Sequence, residues 1–108
     1  MSRLVALFLL AFAPLVASAA GEPEFKLAIE GHRFTPDRIE VPAGKKVKFL
    51  IDNRDATAEE FESGALRIEK VIPGKGHGIV WVGPLEPGEY KFIGEYNEKT
   101  AHGVVVAK

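Results

Sequence analysis

Short segments of alternating residues, separated by turn-forming residues, are the feature that most limits what this chain can fold into. Residues 25–30 and 89–92 alternate apolar with polar or small side chains, as half-buried strands do. Proline and glycine recur between such segments, at residues 42–44, 73–74 and 87–88. Long stretches with helical periodicity are missing from the sequence. Seven or eight short strands therefore predict an all-β fold, a Greek-key β-sandwich or a barrel.

Two local predictions follow from the residue types. Residues 59–63 favour a strand, with a short helical turn as the alternative, since Thr57 and Glu60 have the spacing of a capping box. Residues 72–75 have the Pro-Gly order of a type II turn, which places Gly74 at positive φ. The predicted core consists of the apolar residues on the inner strand faces, namely Leu27, Ile29, Phe34, Ile39, Val41, Val47, Phe49, Phe61, Ile68, Val80, Val82, Tyr90, Phe92, Val104 and Val106.

The first twenty residues have the pattern of a secretory signal peptide. Arg3 precedes a short apolar stretch, and Ala17-Ser18-Ala19 forms a small-residue site that predicts cleavage after Ala19 or Ala20. A membrane anchor is the alternative, but it needs roughly 20 apolar residues, and Pro14 interrupts this stretch. The predicted organisation is a cleaved signal peptide over 1–20, a polar leader over 21–24 and one domain over 25–108. Export to a bacterial periplasm or the exterior is expected.

Composition then narrows the function classes. The chain has 14 Lys and Arg against 15 Asp and Glu, which leaves no bulk positive charge for a nucleic-acid backbone. It contains no cysteine, and its one methionine is Met1, so the mature domain of about 88 residues would contain no sulfur. A disulfide-linked partner is therefore excluded, and stability must come from core burial, with a metal or a partner as possible support.

Several segments together resemble the cupredoxin family over nearly the whole mature chain. They are Phe34-Thr35-Pro36, residues 39–44, Val47-Lys48-Phe49, Asn53, residues 87–92 and residues 103–106. Residues 59–63 and 94–98 carry a narrower resemblance, to the small periplasmic cupredoxin-like (EfeO-type) proteins that accompany iron permeases. The resemblance implies a cupredoxin-like Greek-key sandwich and a membrane iron permease or another uptake-system subunit as partner.

Ordinary cupredoxins hold copper with two histidines, a cysteine and a methionine. Carried over onto this sequence, the first histidine falls on Glu59 and the cysteine on Gly94. The second histidine falls on Asn97 and the methionine on His102. Copper favours that set because sulfur ligands stabilise Cu(I) while imidazole serves both oxidation states. All four ligands differ here, so the resemblance implies the fold, and a blue type 1 copper site is not expected.

Carboxylates and one imidazole remain as the candidate metal ligands at the same end of the sandwich. The loops that gather copper ligands in the family would gather Glu59, Glu95 and His102, with Glu98 in reserve. Such oxygen-rich ligands suit iron or Cu(II) rather than Cu(I). On a strand, Glu59 faces away from Glu60 and Glu62, so the three cannot bind one ion together without a bulge. The alternative is that these glutamates are solvated surface charge.

The expected function is a periplasmic accessory protein that binds iron or copper through carboxylates and histidine in a metal uptake system. One alternative is a metal-free adaptor that docks on a membrane partner, and another is a redox protein with a non-blue copper centre. Trp81 either covers the second face of its sheet or is exposed as an anchor for a partner. An enzyme is not expected, because Ser63 is the only serine of the mature chain and no nucleophile-elbow or phosphate-binding motif is present.

Overall fold

The computed structural model describes residues 21–108, which form two β-sheets packed face to face. The predicted signal peptide, residues 1–20, lies outside the described residues. The strands are β1 (Glu24–Ile29), β2 (Phe34–Thr35), β3 (Arg38–Val41), β4 (Val47–Asn53), β5 (Glu59–Ser63), β6 (Ile68–Ile72), β7 (His77–Val82), β8 (Gly88–Gly94) and β9 (His102–Ala107). Within this range the single helical element is a 3-10 turn over Glu95–Asn97, hereafter the 95–97 turn. No helix of the described residues has the length and apolar character needed to cross a membrane.

The strand order confirms the predicted all-β sandwich. The first sheet has the order β2-β1-β4-β7 and the second has the order β3-β9-β8-β5-β6. Pairing is parallel between β1 and β4 and between β3 and β9, and the remaining pairs are antiparallel. The chain crosses between the sheets from β4 to β5 and returns from β6 to β7, whereas β5 and β6 are neighbours in one sheet, as are β8 and β9.

Aromatic side chains from both sheets meet in the centre of the core. Phe61 and Phe92 stack with their ring centroids 4.8 Å apart. From the other sheet, Phe34 approaches Phe92 edge-on at 5.0 Å, and Phe49 approaches Phe61 at 6.5 Å. All four are buried, and each buried side chain of this size contributes roughly 1.5–3 kcal/mol. Core burial thus holds the two layers together without a disulfide.

Most of the predicted core is confirmed, but the last strand is offset. Ile68, Tyr90 and Val104 are half-buried rather than buried. In β9 the fully enclosed residues are Val105 and Ala107. The run of three valines gives no alternation from which to read the inner face, and the prediction for Val104 was therefore wrong.

The two local predictions have different outcomes. Residues 59–63 form β5, which confirms the strand over the helical turn. The predicted positive φ at Gly74 is wrong, because Lys75 adopts the left-handed conformation instead, with φ of 57°. Gly74 is required for a different reason, since a Cβ at this position would overlap the backbone carbonyl of Ala56.

Candidate functional site

Two strands and a turn build the end of the sandwich where the candidate ligands lie. In β5 and β8, Phe61 pairs with Gly94, and Glu62 pairs with Ile93. The chain leaves β8 directly into the 95–97 turn and returns along β9, where His102 pairs with Ile93. The segments 59–63 and 94–98 are therefore neighbours in space.

Strand alternation divides the glutamates of β5 between two environments. The burial of β5 alternates, with Glu59, Phe61 and Ser63 facing the core and Glu60 and Glu62 facing outward. Glu59 is only 1% exposed, although it carries a carboxyl group. A buried carboxylate requires partners, because moving its charge out of water without hydrogen bonds is very unfavourable.

Three N–H groups supply those partners. The Oε1 atom of Glu59 accepts hydrogen bonds from the backbone N–H of Glu60 at 2.9 Å and of Tyr96 at 2.8 Å. Its Oε2 atom accepts a hydrogen bond from the side-chain amide Nδ2 of Asn97 at 2.8 Å. We call Glu59, Gly94, Tyr96 and Asn97 the Glu59 site. Within this site, Glu59 and Asn97, which both resemble copper-ligand positions, are hydrogen-bonded directly to each other.

Gly94 makes room for this carboxyl group. A Cβ at residue 94 would lie 2.6 Å from Cδ of Glu59 and 2.7 Å from Cβ of Ala101. The backbone N–H of Gly94 also donates to the carbonyl of Ala101 at 2.8 Å. Any larger side chain at position 94 would therefore overlap the carboxyl group of Glu59.

The residues of the Glu59 site do not fit the type 1 copper of the cupredoxin fold. Such a centre needs a thiolate and imidazoles around an open volume, whereas this site offers one carboxylate and one amide that already bond to each other. The position that resembles the cysteine position is Gly94, where the carboxyl group of Glu59 fills the adjacent space.

Outside the sheet, a separate group of carboxylates faces solvent. Glu60, Glu62 and Glu95 each offer a carboxylate oxygen that lies within 4.8 Å of the other two. We call these three residues the outer acidic cluster. Partial desolvation and then the nearby charges of Glu95, Glu69 and Glu59 raise the pKa of Glu60. Like charges held this closely favour protonation or the binding of a cation.

The predicted ligand set does not form a single group in the described residues. Glu95 joins the outer acidic cluster, whereas Glu59 lies on the inner face of β5 and accepts three hydrogen bonds. His102 is exposed on β9, in a surface depression of about 450 Å³ that Arg38 and Lys91 also line. Glu98 is exposed directly after the 95–97 turn. Metal binding by these four residues stays a prediction.

Sequence reasoning missed the partners of Glu59. The signal was its position on the same strand face as Phe61, which makes a solvated carboxylate impossible there. Two of the three donors come from the 95–97 turn, more than thirty-five positions later in the chain. Such a contact becomes visible only once β5 and β8 are paired.

A β-sandwich whose site end is built from β5, β8 and the 95–97 turn defines a cupredoxin-type protein, and comparison with known families agrees. The family model for the cupredoxin-like domain matches residues 3–107, and the chain belongs to this family. An uncharacterized protein of Rickettsia prowazekii (strain Madrid E) is 39% identical over 84 residues. That match covers 77% of this chain and 66% of the relative, so the chain spans slightly less than two thirds of the relative's length.

Solved structures with the same fold include copper proteins. The metal-binding domain of the Cu(I)-exporting P-type ATPase CopA of Streptococcus pneumoniae D39 has a TM-score of 0.70 at 15% identity, covering 79% of this chain and 84% of that one. Auracyanin A, a blue copper protein of Chloroflexus aurantiacus, has a TM-score of 0.66 at 15% identity, covering 82% and 100%. At this level of identity the likeness shows the fold alone.

Proposed function

We propose that this protein is an exported cupredoxin-like accessory protein that holds a transition-metal ion at the outer acidic cluster and serves a metal uptake system, with iron as the favoured ion. The observation that carries the proposal is the convergence of three carboxylates, from Glu60, Glu62 and Glu95, within 4.8 Å of one another. Hard oxygen ligands of this kind suit Fe(III), Fe(II) and Mn(II), and they accept Cu(II).

Electrostatics supports a cation at this place. Partial desolvation, followed by the neighbouring carboxylates, raises the pKa of Glu60, so its ionised form is less stable than that of an isolated glutamate. Among residues 21–108, none of the three cluster glutamates forms an ion pair with a lysine or arginine. A bound cation would supply the missing positive charge.

The proposal keeps Glu95 from the predicted ligand set and adds Glu60 and Glu62. Glu59 is less suited because three N–H donors engage its carboxylate. His102 is less suited because it lies in a separate depression, which none of the three cluster glutamates lines. The resemblance of segments 59–63 and 94–98 to EfeO-type proteins supports iron uptake, a periplasmic location and a membrane permease as the partner.

Calorimetric titration of the protein with Fe(II) under anaerobic conditions, and separately with Cu(II), tests the proposal. We expect one site per chain, weakened at least about tenfold by Glu95→Gln, because one of three charged ligands is removed. Glu86→Gln, which removes an equal charge from an exposed loop outside the cluster, is the matched control, and His102→Ala should also retain binding. A wild-type protein that takes up neither ion would refute the metal-holding function.

A second candidate is the metal-free adaptor, which a separate surface favours. On β7, an edge strand of the first sheet, Trp81 is 46% exposed and Ile79 is 42% exposed. The Nζ atom of Lys46 lies 4.7 Å from the centre of the Trp81 ring, which makes this patch both apolar and cationic. Failure to bind either ion, together with loss of permease binding in Trp81→Ala, would support the adaptor over the metal carrier.

A further inference from the structure

We propose that Glu59 is a positioning residue and not a metal ligand: its buried carboxylate holds the 95–97 turn in place and so fixes Glu95 beside Glu60 and Glu62. The role of Glu95 in this inference rests on the proposed function. The attachment of the turn to Glu59 does not, and it can be tested without any metal.

Hydrogen bonds already occupy most of the acceptor positions of Glu59. A carboxylate has about four acceptor positions, and three of those of Glu59 are taken by N–H donors at 2.8 to 2.9 Å. One acceptor position is left, so a metal ion that took a second one would displace the donor of Tyr96 or of Asn97. Since Glu59 is 1% exposed, the displaced donor would lose a partner that water does not readily replace.

Little space is left around the carboxyl group of Glu59. A single carbon added at Gly94 would lie 2.6 Å from Cδ of Glu59 and 2.7 Å from Cβ of Ala101, closer than ordinary carbon atoms approach. The side chain of Glu59 thus occupies the volume that would receive a ligand from position 94. Protein atoms fill this part of the Glu59 site as they fill a core.

The carboxylate of Glu59 also anchors the 95–97 turn. The first residue before the 95–97 turn, Gly94, offers no side chain to cap it. Glu59 supplies the acceptor from another strand, bonding the backbone of Tyr96 and the side chain of Asn97. Asn97 then continues the restraint, because its carbonyl accepts hydrogen bonds from the backbone N–H groups of Thr100 and Ala101. Glu95 lies between these anchored positions and β8, so its place in the cluster depends on them.

Two conservative variants of Glu59 separate the effect of side-chain length from the effect of the negative charge. Glu59→Gln keeps the length of the side chain, and the oxygen of the new glutamine still accepts hydrogen bonds from Glu60 and Tyr96. The glutamine NH2 group donates to the side-chain oxygen of Asn97 once the Asn97 amide rotates. Glu59→Asp keeps the charge, but its carboxylate is one methylene too short to reach the turn. A positioning role predicts that Gln preserves the turn and Asp does not. A ligand role predicts that metal affinity falls more in Glu59→Gln, which loses the charge, than in Glu59→Asp, which keeps it.

Amide hydrogen exchange at Tyr96, measured by NMR on the metal-free protein, is the primary test. We expect at least about a tenfold loss of protection in Glu59→Asp and less than about a threefold change in Glu59→Gln, because only Asp removes the acceptor. Glu86→Asp, the same shortening in an exposed loop, should leave Tyr96 unchanged. Unchanged Tyr96 protection in Glu59→Asp, or a Gln variant as damaged as Asp, would overturn the positioning role.

Metal affinity of the same variants tests the link to Glu95. If Zn(II) binds the wild-type protein, we expect Glu59→Asp to weaken it at least about fivefold and Glu59→Gln to leave it within about twofold. Weakening by Glu59→Gln that equals or exceeds the weakening by Glu59→Asp would make Glu59 a ligand and refute the inference. If the wild-type protein binds no ion, the proposed function fails, and the exchange rate of the Tyr96 amide still decides whether Glu59 holds the turn.

Discussion

Replacing Gly94 by alanine is the perturbation that most directly measures how tightly the Glu59 site is filled. Gly94 has φ of −93° and ψ of 108°, an extended conformation that alanine adopts freely. The cost of Gly94→Ala is therefore one of packing, with the new carbon 2.6 Å from Cδ of Glu59 and 2.7 Å from Cβ of Ala101.

The magnitude follows from two opposing effects. Inserting a carbon into a filled core costs about 1–3 kcal/mol. Three contacts of 2.6 to 2.7 Å, two with Glu59 and one with Ala101, place Gly94→Ala at the upper end. Alanine also lowers the conformational entropy of the unfolded chain, which stabilises the folded protein by about 0.4–1 kcal/mol. The net expectation is a loss of about 2 kcal/mol, which lowers the melting temperature by about 8–16 °C in a domain of this size.

Thermal unfolding followed by circular dichroism gives the measurement, with Gly64→Ala as the matched control. A Cβ at Gly64 would meet nothing within 4 Å, and its φ is not positive, so this variant should melt at or slightly above the wild type. Adding Ala101→Gly to Gly94→Ala should recover part of the loss, because it removes the contact with Cβ of Ala101. A Gly94→Ala variant that melts within about 2 °C of Gly64→Ala would refute the packing argument.

Other parts of the structure give further predictions. Phe61→Ala should cost about 3–5 kcal/mol in urea unfolding, because its ring is fully buried among other aromatic rings; a loss under about 1 kcal/mol would contradict the described core. Hydrogen bonds from the backbone N–H groups of His32 and Gly31 lower the pKa of Asp55. The ionised carboxylate of Asp55 therefore stabilises the fold above its ordinary pKa of 3.8, and this stabilisation is lost as the pH falls through the lower pKa of the folded protein. Asp55→Asn should therefore show a smaller loss of stability between about pH 5 and about pH 2 than the wild type, and an identical pH profile would refute this assignment. Desolvation and neighbouring carboxylates raise the pKa of Glu60, so Glu60→Gln should melt above the wild type at about pH 7 without added metal, and this advantage should shrink as the pH falls through the raised pKa.

The fold was predictable because its signals are local. Alternating residues mark the inner faces of β1 and β5, and Pro-Gly pairs mark the turns. Prediction failed where the local pattern carries no information, as in the valine run of β9 and at Gly74, whose requirement comes from the distant carbonyl of Ala56.

The candidate site was only partly predictable for the same reason. Alternation along β5 is sufficient to place Glu59 on the inner face of the strand and Glu60 and Glu62 on the outer face. It does not reveal that the 95–97 turn supplies two of the hydrogen bonds of Glu59, nor that Glu95 lies close to the outward pair. These contacts depend on the pairing of β5 with β8, which local sequence does not specify.

An NMR titration of the isotopically labelled protein with diamagnetic Zn(II) tests the central claim most directly, because it reports on the Glu59 site and the outer acidic cluster together. We expect the signals of Glu60, Glu62 and Glu95 to shift, while the amide of Tyr96 and the side-chain amide of Asn97 keep their hydrogen bonds and their slow exchange. Release of those two amides as Zn(II) is added would show that the ion enters the interior and binds Glu59, which would contradict the account.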